Sequence, residues 1–228
     1  MTVPEQVGPR TGRHAVILCH PDPGSFNHVV AEAYCNAVRG AGQEIVLRDL
    51  YALGFDPVLK ANERPTVAHP VRSRDVMAEL ELISGSDVFV LIYPIWFGSP
   101  PAMMKGYIER VLGTGVRPEA IQKRVQTDLL GGKRLLSLTT SAASNSWLNE
   151  QGQEQGLSSV LDQYLVHAFG MHSQDHKHFD RITPDLSEQF ADQYFLEVVT
   201  QARRTCAQIA FGDEALLHNP LLARQSSQ

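Results

Sequence analysis

Three short segments of the chain combine residues that could bind an anion, a flat ring and the polar edge of that ring. The segments are HPDPGSFN at 20–27, PIWFGSPP at 94–101 and TTSAASNSW at 139–147. Each follows an apolar run of strand character, so each occupies the place of a loop at the end of a buried strand.

The first segment places a histidine ring, a serine hydroxyl and an asparagine amide at the start of a helical pattern. The residues are His20, Ser25 and Asn27. Free backbone N–H groups at a helix N-terminus bind anions, so this loop could hold a phosphate. It is neither a Walker loop nor a Gly-rich dinucleotide loop, because the required Gly and Lys positions are missing. The alternative is that Ser25 caps the helix and Asn27 is solvated.

The second segment places Trp96 and Phe97 at a strand end, followed by Gly98, which permits a close backbone approach. The two rings could form an apolar platform, or they could pack in the core. In the third segment, small and hydroxylic residues leave backbone N–H and C=O groups accessible, and Trp147 adds another ring. The alternative there is a flexible polar loop. A flavin needs a phosphate site, a ring platform and ring-edge hydrogen bonds, which together match the three segments.

The elements that would position these segments alternate between strand and helix. Strands are predicted at 13–20, 44–50, 87–94 and 133–140, with a weak fifth within 171–180. Helices are predicted at 26–38, 73–84, 100–112 and 157–170, followed by a long helix with Thr183 as its N-cap and Pro184 in its first turn. This alternation predicts an α/β fold, with a parallel sheet covered on both faces. Ligands of such sheets bind beyond the carboxyl ends of the strands.

Length and charge limit the class of protein. The 228 residues carry a formal net charge of -5, which argues against nucleic acid as the main partner. We expect a flexible leader at 1–12, one domain at 13–218 and a loose tail at 219–228. No apolar run is long enough for a membrane span, and the three scattered cysteines suit a cytoplasmic protein with reduced thiols.

Three histidines and one cysteine are candidates for a metal ligand or a nucleophile. His172, His176 and His178 could place two ligands on one strand face, but no Cys or acidic set has a recognisable spacing. We therefore expect a polar, partly exposed segment near the site and no metal. Cys19 ends an apolar strand and is expected to be a small core residue.

From Arg13 to Gly170 the sequence resembles the flavodoxin-like NAD(P)H:quinone oxidoreductases of the DT-diaphorase type. HPDPGSFN is similar to the family's H-x-x-x-x-S-F-N phosphate loop, and RDLYALGFDPVL to its D-L-Y-x-x-x-F-x-P segment. PIWFGSPPAMMKGYIERV resembles its aromatic and P-A-x-L-K-G signature, and TTSAASNSW occupies the place of its T-T-G-G loop. The resemblance implies a flavodoxin-like three-layer sandwich whose five-stranded parallel sheet has the order 2-1-3-4-5.

The resemblance also implies which residues contact a flavin. Those at the flavin phosphates would be His20, Ser25, Phe26 and Asn27; those lining the isoalloxazine ring would be Pro94, Ile95, Trp96 and Phe97; those at its pyrimidine edge would be Thr139, Thr140, Ser141 and Ala142. Lys105 and Arg110 are interpreted as structural.

The chain departs from the family pattern at three places. The aromatic pair stands one position earlier, which leaves open which ring stacks on the flavin. Ser141 and Ala142 replace the two glycines. Trp147 and Gln153 stand where mammalian-type enzymes have Tyr and His, so Trp147 is the one candidate catalytic side chain in a reaction carried mainly by the flavin.

The function implied by the resemblance is two-electron, ping-pong hydride transfer from NADH or NADPH to a quinone or another small aromatic acceptor. The cofactor implied is FAD, with FMN as the alternative, and the assembly implied is a homodimer. An azo- or nitroreductase, or an electron carrier or regulatory subunit, remain alternative functions.

Overall fold

The computed structural model describes residues 11–123, 125–152, 156 and 158–213. The strands are β1 (Arg13–Leu18), β2 (Glu44–Asp49), β3 (Val88–Pro94), β4 (Arg134–Thr140) and β5 (Ser173–Phe179). The α-helices are α1 (Phe26–Gly40), α2 (Arg74–Ile83), α3 (Ala102–Tyr107), α4 (Pro118–Gln122), α5 (Asn145–Glu150), α6 (Tyr164–Phe169) and α7 (Glu188–Phe211). A π-helical turn, Ile108–Leu112, continues α3, and a π-helix, Ser158–Gln163, leads into α6.

The five strands form one parallel sheet in the order β2-β1-β3-β4-β5, which confirms the predicted order. Leu18 pairs with Asp49, Pro94 with Thr140, and Thr140 with Phe179. The carboxyl ends of the strands therefore lie along one edge of the sheet, and the loops that follow them start there.

Two apolar layers hold the helices against the sheet. Helices α1 and α7 cover one face, where Val30 and Val198 pack on Val16. Helices α2, α3 and α6 cover the other face, where Tyr107 packs near Leu91. Every residue of β3 is buried, which explains its continuously apolar sequence at the centre of the sheet.

The long terminal helix begins later than the sequence predicted. Its first residue is Glu188 and its N-cap is Ser187, whose hydroxyl accepts a hydrogen bond from the Phe190 N–H at 3.4 Å. The prediction that Thr183 is the N-cap was wrong. The Thr183 carbonyl instead accepts from Leu186 N–H at 3.0 Å, closing a separate turn before the helix.

Other boundaries agree with the prediction. The weak fifth strand is present, and the helix preceding it ends at Gly170, which has a left-handed φ of 64°. A Cβ at Gly170 would meet the Gln126 backbone at 2.8 Å, so glycine is needed there for two reasons. The short helices α4 and α5 were not predicted.

The leader at 1–12 and the tail at 219–228 lie largely or wholly outside the described residues. Within the part of the chain that the structure describes, no helix is both long and apolar enough to cross a membrane.

Candidate functional site

Three loops meet at the carboxyl edge of the sheet: the first loop (19–25), the second loop (95–101) and the third loop (141–144). The Ile95 N–H donates to the Thr140 carbonyl at 2.7 Å, which ties the second loop to the end of β4. The rings of His20 and Trp96 lie 5.7 Å apart, joining the first and second loops. Pro94 is buried and Ile95 is half-buried, whereas the two aromatic residues that follow them are exposed.

The first loop presents free hydrogen-bond donors at the start of α1. The Asp22 carboxylate accepts from the Gly24 N–H at 2.9 Å, and the Asp22 carbonyl accepts from the Ser25 N–H at 3.1 Å. Among the described residues, the N–H groups of Phe26 and Asn27 have no acceptor. These groups lie at the positive end of a 15-residue helix, where an anion is stabilised.

Ser25 occupies the N-cap position of α1 but makes no capping hydrogen bond with its side chain. A hydrogen bond of 2.9 Å joins its hydroxyl to His28 Nδ1, and a second of 3.1 Å joins His28 Nε2 to the Asp49 carboxylate at the end of β2. Ser25 is therefore the N-cap residue, as predicted, but its hydroxyl binds His28 and not a backbone N–H of the helix. Sequence reasoning missed His28, although its position three residues after Ser25 on a helix was an available signal.

Asn27 is 2% exposed, so the alternative that it is solvated is wrong. Its Nδ2 donates to Thr140 Oγ1 at 3.0 Å, linking α1 to the end of β4. The Phe26 ring packs edge-on against Phe179 and Tyr194, with centroids 6.4 and 6.2 Å away. Asn27 and Phe26 can thus offer a ligand their backbone N–H groups while their side chains hold the loop in place.

The second loop is a tight turn that displays two aromatic rings. Trp96 and Ser99 exchange backbone hydrogen bonds of 3.0 and 3.1 Å, and both central residues have positive φ: 50° at Phe97 and 74° at Gly98. Positive φ at both positions is typical of a type I′ turn, but a bulky side chain such as Phe is unfavourable there. Phe97 is fully exposed and Trp96 is 38% exposed, so neither ring is a core residue.

The third loop offers backbone donors next to small side chains. The N–H groups of Ala142 and Ala143 have no acceptor among the described residues, whereas the Ser141 N–H donates to the Phe179 carbonyl at 3.0 Å. Ala142 is exposed and Ser141 is buried. Two of the residues predicted for the ring edge, Thr139 and Ser141, direct their hydroxyls toward histidines of β5, as described next.

A continuous line of polar side chains runs beneath the third loop; we refer to Asp162, His176, Thr139, His178 and Ser141 as the histidine chain. His176 Nδ1 lies 2.5 Å from the Asp162 carboxylate, and His176 Nε2 lies 2.8 Å from Thr139 Oγ1. His178 Nδ1 lies 2.8 Å from the same Thr139 oxygen, and His178 Nε2 lies 2.9 Å from Ser141 Oγ. Sequence reasoning did not connect these residues; the only signal was the spacing of two residues between the histidines.

The surroundings keep His178 neutral. Burial, and to a smaller extent the neighbouring His176, lower the pKa of its imidazole to about 4. His176 and His178 each bind Thr139, and within the described residues no group of three His, Cys, Asp or Glu side chains is arranged to hold a metal ion.

Trp147 lies in α5, directly after the third loop, and its side chain is 49% exposed. The backbone N–H of Trp147 donates to the hydroxyl of Ser144, the N-cap residue of α5, at 3.3 Å. An indole is a hydrogen-bond donor only, so Trp147 could orient a ligand but could not shuttle a proton. Gln153, the other residue at the family's Tyr–His positions, lies outside the described residues.

The two basic residues interpreted as structural are both paired. Lys105 pairs with Glu109 one turn along the helix, at the surface. Arg110 is buried and binds Glu63 and Asp75, each at 2.7 Å. The guanidinium beside Glu63 lowers the pKa of that carboxyl to about 2.

The cysteines are not suited to nucleophilic chemistry. Cys19, Cys35 and Cys206 are free and buried. Burial raises the thiol pKa to about 12 for Cys19 and to about 11 for the other two. Because the thiolate is the reactive form, Cys19 acts as a core residue, as expected.

Comparison with known proteins gives relatives at the sequence level. A Haemophilus influenzae protein named as an uncharacterized NAD(P)H oxidoreductase is 26% identical over 189 residues, covering 82% of this chain and 92% of that protein. NAD(P)H dehydrogenase (quinone) 1 of Rattus norvegicus is 28% identical over 166 residues, covering 65% of this chain and 60% of that enzyme. This chain thus matches less than two thirds of the length of the rat enzyme.

Among solved structures, the NAD(P)H:quinone oxidoreductase from Methanothermobacter marburgensis has the same fold. Its TM-score is 0.73 at 20% identity, covering 86% of this chain and 98% of that chain. The family described as having a flavodoxin-like fold matches residues 13–202. Together with the parallel sheet in the order β2-β1-β3-β4-β5, this match establishes that the chain belongs to the family of proteins with the flavodoxin-like fold.

Proposed function

We propose that this protein is a flavin-dependent oxidoreductase that uses NADH or NADPH to reduce quinones or similar small aromatic acceptors. The observation that carries the proposal is the convergence of anion donors, exposed aromatic rings and free backbone amides at one edge of the sheet. The two relatives described above, one named as an NAD(P)H oxidoreductase and one as a quinone dehydrogenase, support the same activity.

The first loop would hold the flavin phosphates. The N–H groups of Phe26 and Asn27 lack acceptors, and a phosphate oxygen would satisfy them at the positive end of α1. The Ser25 hydroxyl is held beside these groups by its hydrogen bond with His28 Nδ1, and His20 would close the loop. We propose FAD as the cofactor, from the resemblance of this loop to the FAD-using branch; FMN is the alternative.

The second and third loops would hold the ring. Trp96 and Phe97 offer apolar faces, and the less exposed Pro94 and Ile95 precede them in the chain. A bound flavin supplies the acceptance and donation of hydride. The free N–H groups of Ala142 and Ala143 would stabilise negative charge on its polar edge, in the way preorganised amides stabilise an oxyanion.

We also propose that the protein is a homodimer and that it is located in the cytoplasm. Phe97 is fully exposed and held in unfavourable backbone geometry, at the rim of the candidate site. Such features persist where they serve binding. A second copy of the chain could cover this ring and narrow the space in which the nicotinamide and the acceptor bind.

Anaerobic mixing of the flavin-loaded protein with NADH or NADPH tests the proposed activity. We expect rapid loss of the visible flavin absorbance, which one equivalent of a quinone then restores. Faster restoration by an azo dye than by a quinone would reassign the acceptor class. Bound flavin that neither nucleotide reduces would contradict the enzyme and favour an electron carrier.

A matched pair of variants locates the reaction. Phe97→Ala removes an exposed ring at the carboxyl edge of the sheet, and Phe211→Ala removes an exposed ring at the end of α7, beside Gln43 at the opposite edge. We expect only Phe97→Ala to slow the restoration of flavin absorbance by the quinone. An equal effect of both substitutions would show that the second loop is not the site.

A further inference from the structure

The histidine chain begins in a buried carboxylate. Asp162 lies in the π-helix and is fully buried, where it accepts hydrogen bonds from Ser137 Oγ at 2.7 Å and from His176 Nδ1 at 2.5 Å. π-Helical turns are rare and are found frequently at functional sites. A buried carboxylate that accepts these two hydrogen bonds holds the adjacent imidazole in a fixed orientation.

The chain ends in the third loop. His178 Nε2 lies 2.9 Å from Ser141 Oγ, and the Ser141 hydroxyl is also placed to donate to the Ala143 carbonyl at 2.9 Å. A hydroxyl has one hydrogen, so Ser141 can donate to His178 or to Ala143 but not to both. Two arrangements of the chain follow, which differ in the direction of the hydrogen bonds between Ser141 and His178, His178 and Thr139, and Thr139 and His176.

In the first arrangement, both histidines are neutral and carry their hydrogen on Nδ1. His176 then donates to Asp162 and accepts from the Thr139 hydroxyl. His178 donates to Thr139 and accepts from the Ser141 hydroxyl. Every distance within the chain, from 2.5 to 2.9 Å, suits this arrangement.

The second arrangement holds one more proton. His176 carries a hydrogen on both ring nitrogens and donates from Nε2 to Thr139, whose hydroxyl now donates to His178 Nδ1. His178 stays neutral but carries its hydrogen on Nε2, which donates to Ser141. The Ser141 hydroxyl then donates to the Ala143 carbonyl. All groups of the chain are satisfied in both arrangements.

We propose that the histidine chain is a proton relay, in which one proton stored on His176 beside Asp162 is delivered through Thr139 and His178 to Ser141 in the third loop. The presence of a reacting ligand at Ser141 rests on the proposed function. NAD(P)H gives up one hydrogen nucleus with two electrons, and a quinone that takes them needs one further proton to become a hydroquinone. The relay would supply that proton.

The transfer balances without any change other than in O–H and N–H bonds. Ser141 releases its hydroxyl proton and takes the hydrogen from His178 Nε2. His178 Nδ1 takes the hydrogen of Thr139, which takes the Nε2 hydrogen of His176. His176 becomes neutral, and no electrons leave the chain. The His176 side chain is 16% exposed, so water can return a proton to it.

The titratable groups that face the histidines come from several elements. Asp162 faces His176 from the π-helix. Tyr93 of β3 also lies near Asp162: burial of the tyrosine raises its pKa most, and the nearby Asp162 raises it further. Asp180, directly after β5, favours the charged form of His178, but burial and His176 outweigh it. The geometry thus places the extra proton on His176 and leaves His178 as a neutral carrier.

Nitrogen spectra of the full-length protein, purified without flavin and carrying isotope-labelled histidine, test the relay. They report the tautomer of each ring as a function of pH, and His176→Gln and His178→Gln assign two of the nine histidines. We expect His176 to become doubly protonated as pH falls, while His178 stays neutral and changes from Nδ1–H to Nε2–H with the same midpoint. Because the measurement needs no flavin, its outcome is independent of the proposed function.

Two variants of Thr139 separate a relay from a purely structural network. Thr139→Val keeps the volume but removes the shared hydroxyl, so the tautomer of His178 should no longer follow the protonation of His176. Thr139→Ser keeps the hydroxyl and should keep the coupling. If the His178 tautomer does not change with pH in the unmodified protein, or if Thr139→Val preserves the coupled midpoint, the relay is refuted.

Discussion

The imidazole of His20 lies against the indole of Trp96, with ring centroids 5.7 Å apart and ring planes inclined by 60°. His20 follows β1 and Trp96 follows β3, and the direction of the chain through the sheet reverses between these two strands. Such a reversal leaves a crevice at the carboxyl edge of a parallel sheet, where ligands bind. This contact therefore marks the point at which the first and second loops would enclose a flavin.

Replacing His20 and Asn27 should separate ligand binding from folding. His20→Ala removes a partly exposed ring and should change the free energy of unfolding by less than about 0.5 kcal/mol. Asn27→Ala leaves Thr140 Oγ1 buried without its donor and should cost about 1–3 kcal/mol. We expect both variants to bind flavin more weakly. Urea unfolding and flavin titration measure the two effects, and an unchanged flavin affinity in both variants would remove the first loop from the site.

The backbone conformation of Phe97 should lower the stability of the protein, and glycine at this position should avoid that loss. The φ of 50° at Phe97 is unfavourable for a residue with a Cβ, and the left-handed conformation costs roughly 1–2 kcal/mol. Phe97→Gly should therefore be more stable to urea than Phe97→Ala, by about 1 kcal/mol. Both variants lose the ring and should bind flavin or acceptor equally weakly. Equal stability of the two variants would show that the turn is not strained.

The pH dependence of stability should report the burial of His178. Its pKa is about 4 in the folded protein and about 6.5 when unfolded, so the unfolded chain binds more protons between these values. Stability is thus complete above about pH 6.5 and falls as the pH decreases toward 4, by up to about 3 kcal/mol. Urea unfolding of the unmodified protein and of His178→Gln, at several pH values, isolates this contribution. If the free energy of unfolding changes with pH in the same way in both proteins, His178 does not make this contribution.

Two basic residues of one helical segment should differ in their effect on stability. Arg110→Met leaves the buried Glu63 without its partner and should cost about 3–5 kcal/mol. Lys105→Met breaks only an exposed pair with Glu109 and should cost at most about 1 kcal/mol. Denaturant unfolding compares them directly. A loss in Arg110→Met as small as that in Lys105→Met would show that the Arg110 network is unimportant.

The fold was largely predictable because its signals are local. The all-apolar β3 and the alternation of strand and helix predicted a covered parallel sheet, and sequence motifs supplied the strand order. The start of α7 was misplaced because Thr183 and Ser187 are both acceptable N-caps. Only the turn that Leu186 closes onto the Thr183 carbonyl distinguishes them.

The three loops of the candidate site could be located from the sequence, but the contacts between their residues could not. Asn27 and Thr140 are 113 positions apart, and no local pattern predicts that they share a hydrogen bond. The same holds for Asp162 and His176, which meet only because the π-helix packs over β5. The strain at Phe97 depends on the turn type, for which the following Gly98 was the only hint.

The measurement that tests the central claim most directly is the identification of whatever chromophore the purified protein carries. Heat releases the cofactor, and mass spectrometry with absorbance gives its identity and amount. We predict about one flavin per chain after reconstitution, with the mass of FAD; the mass of FMN would change the cofactor but keep the site. Protein that is colourless and takes up neither FAD nor FMN would contradict the account.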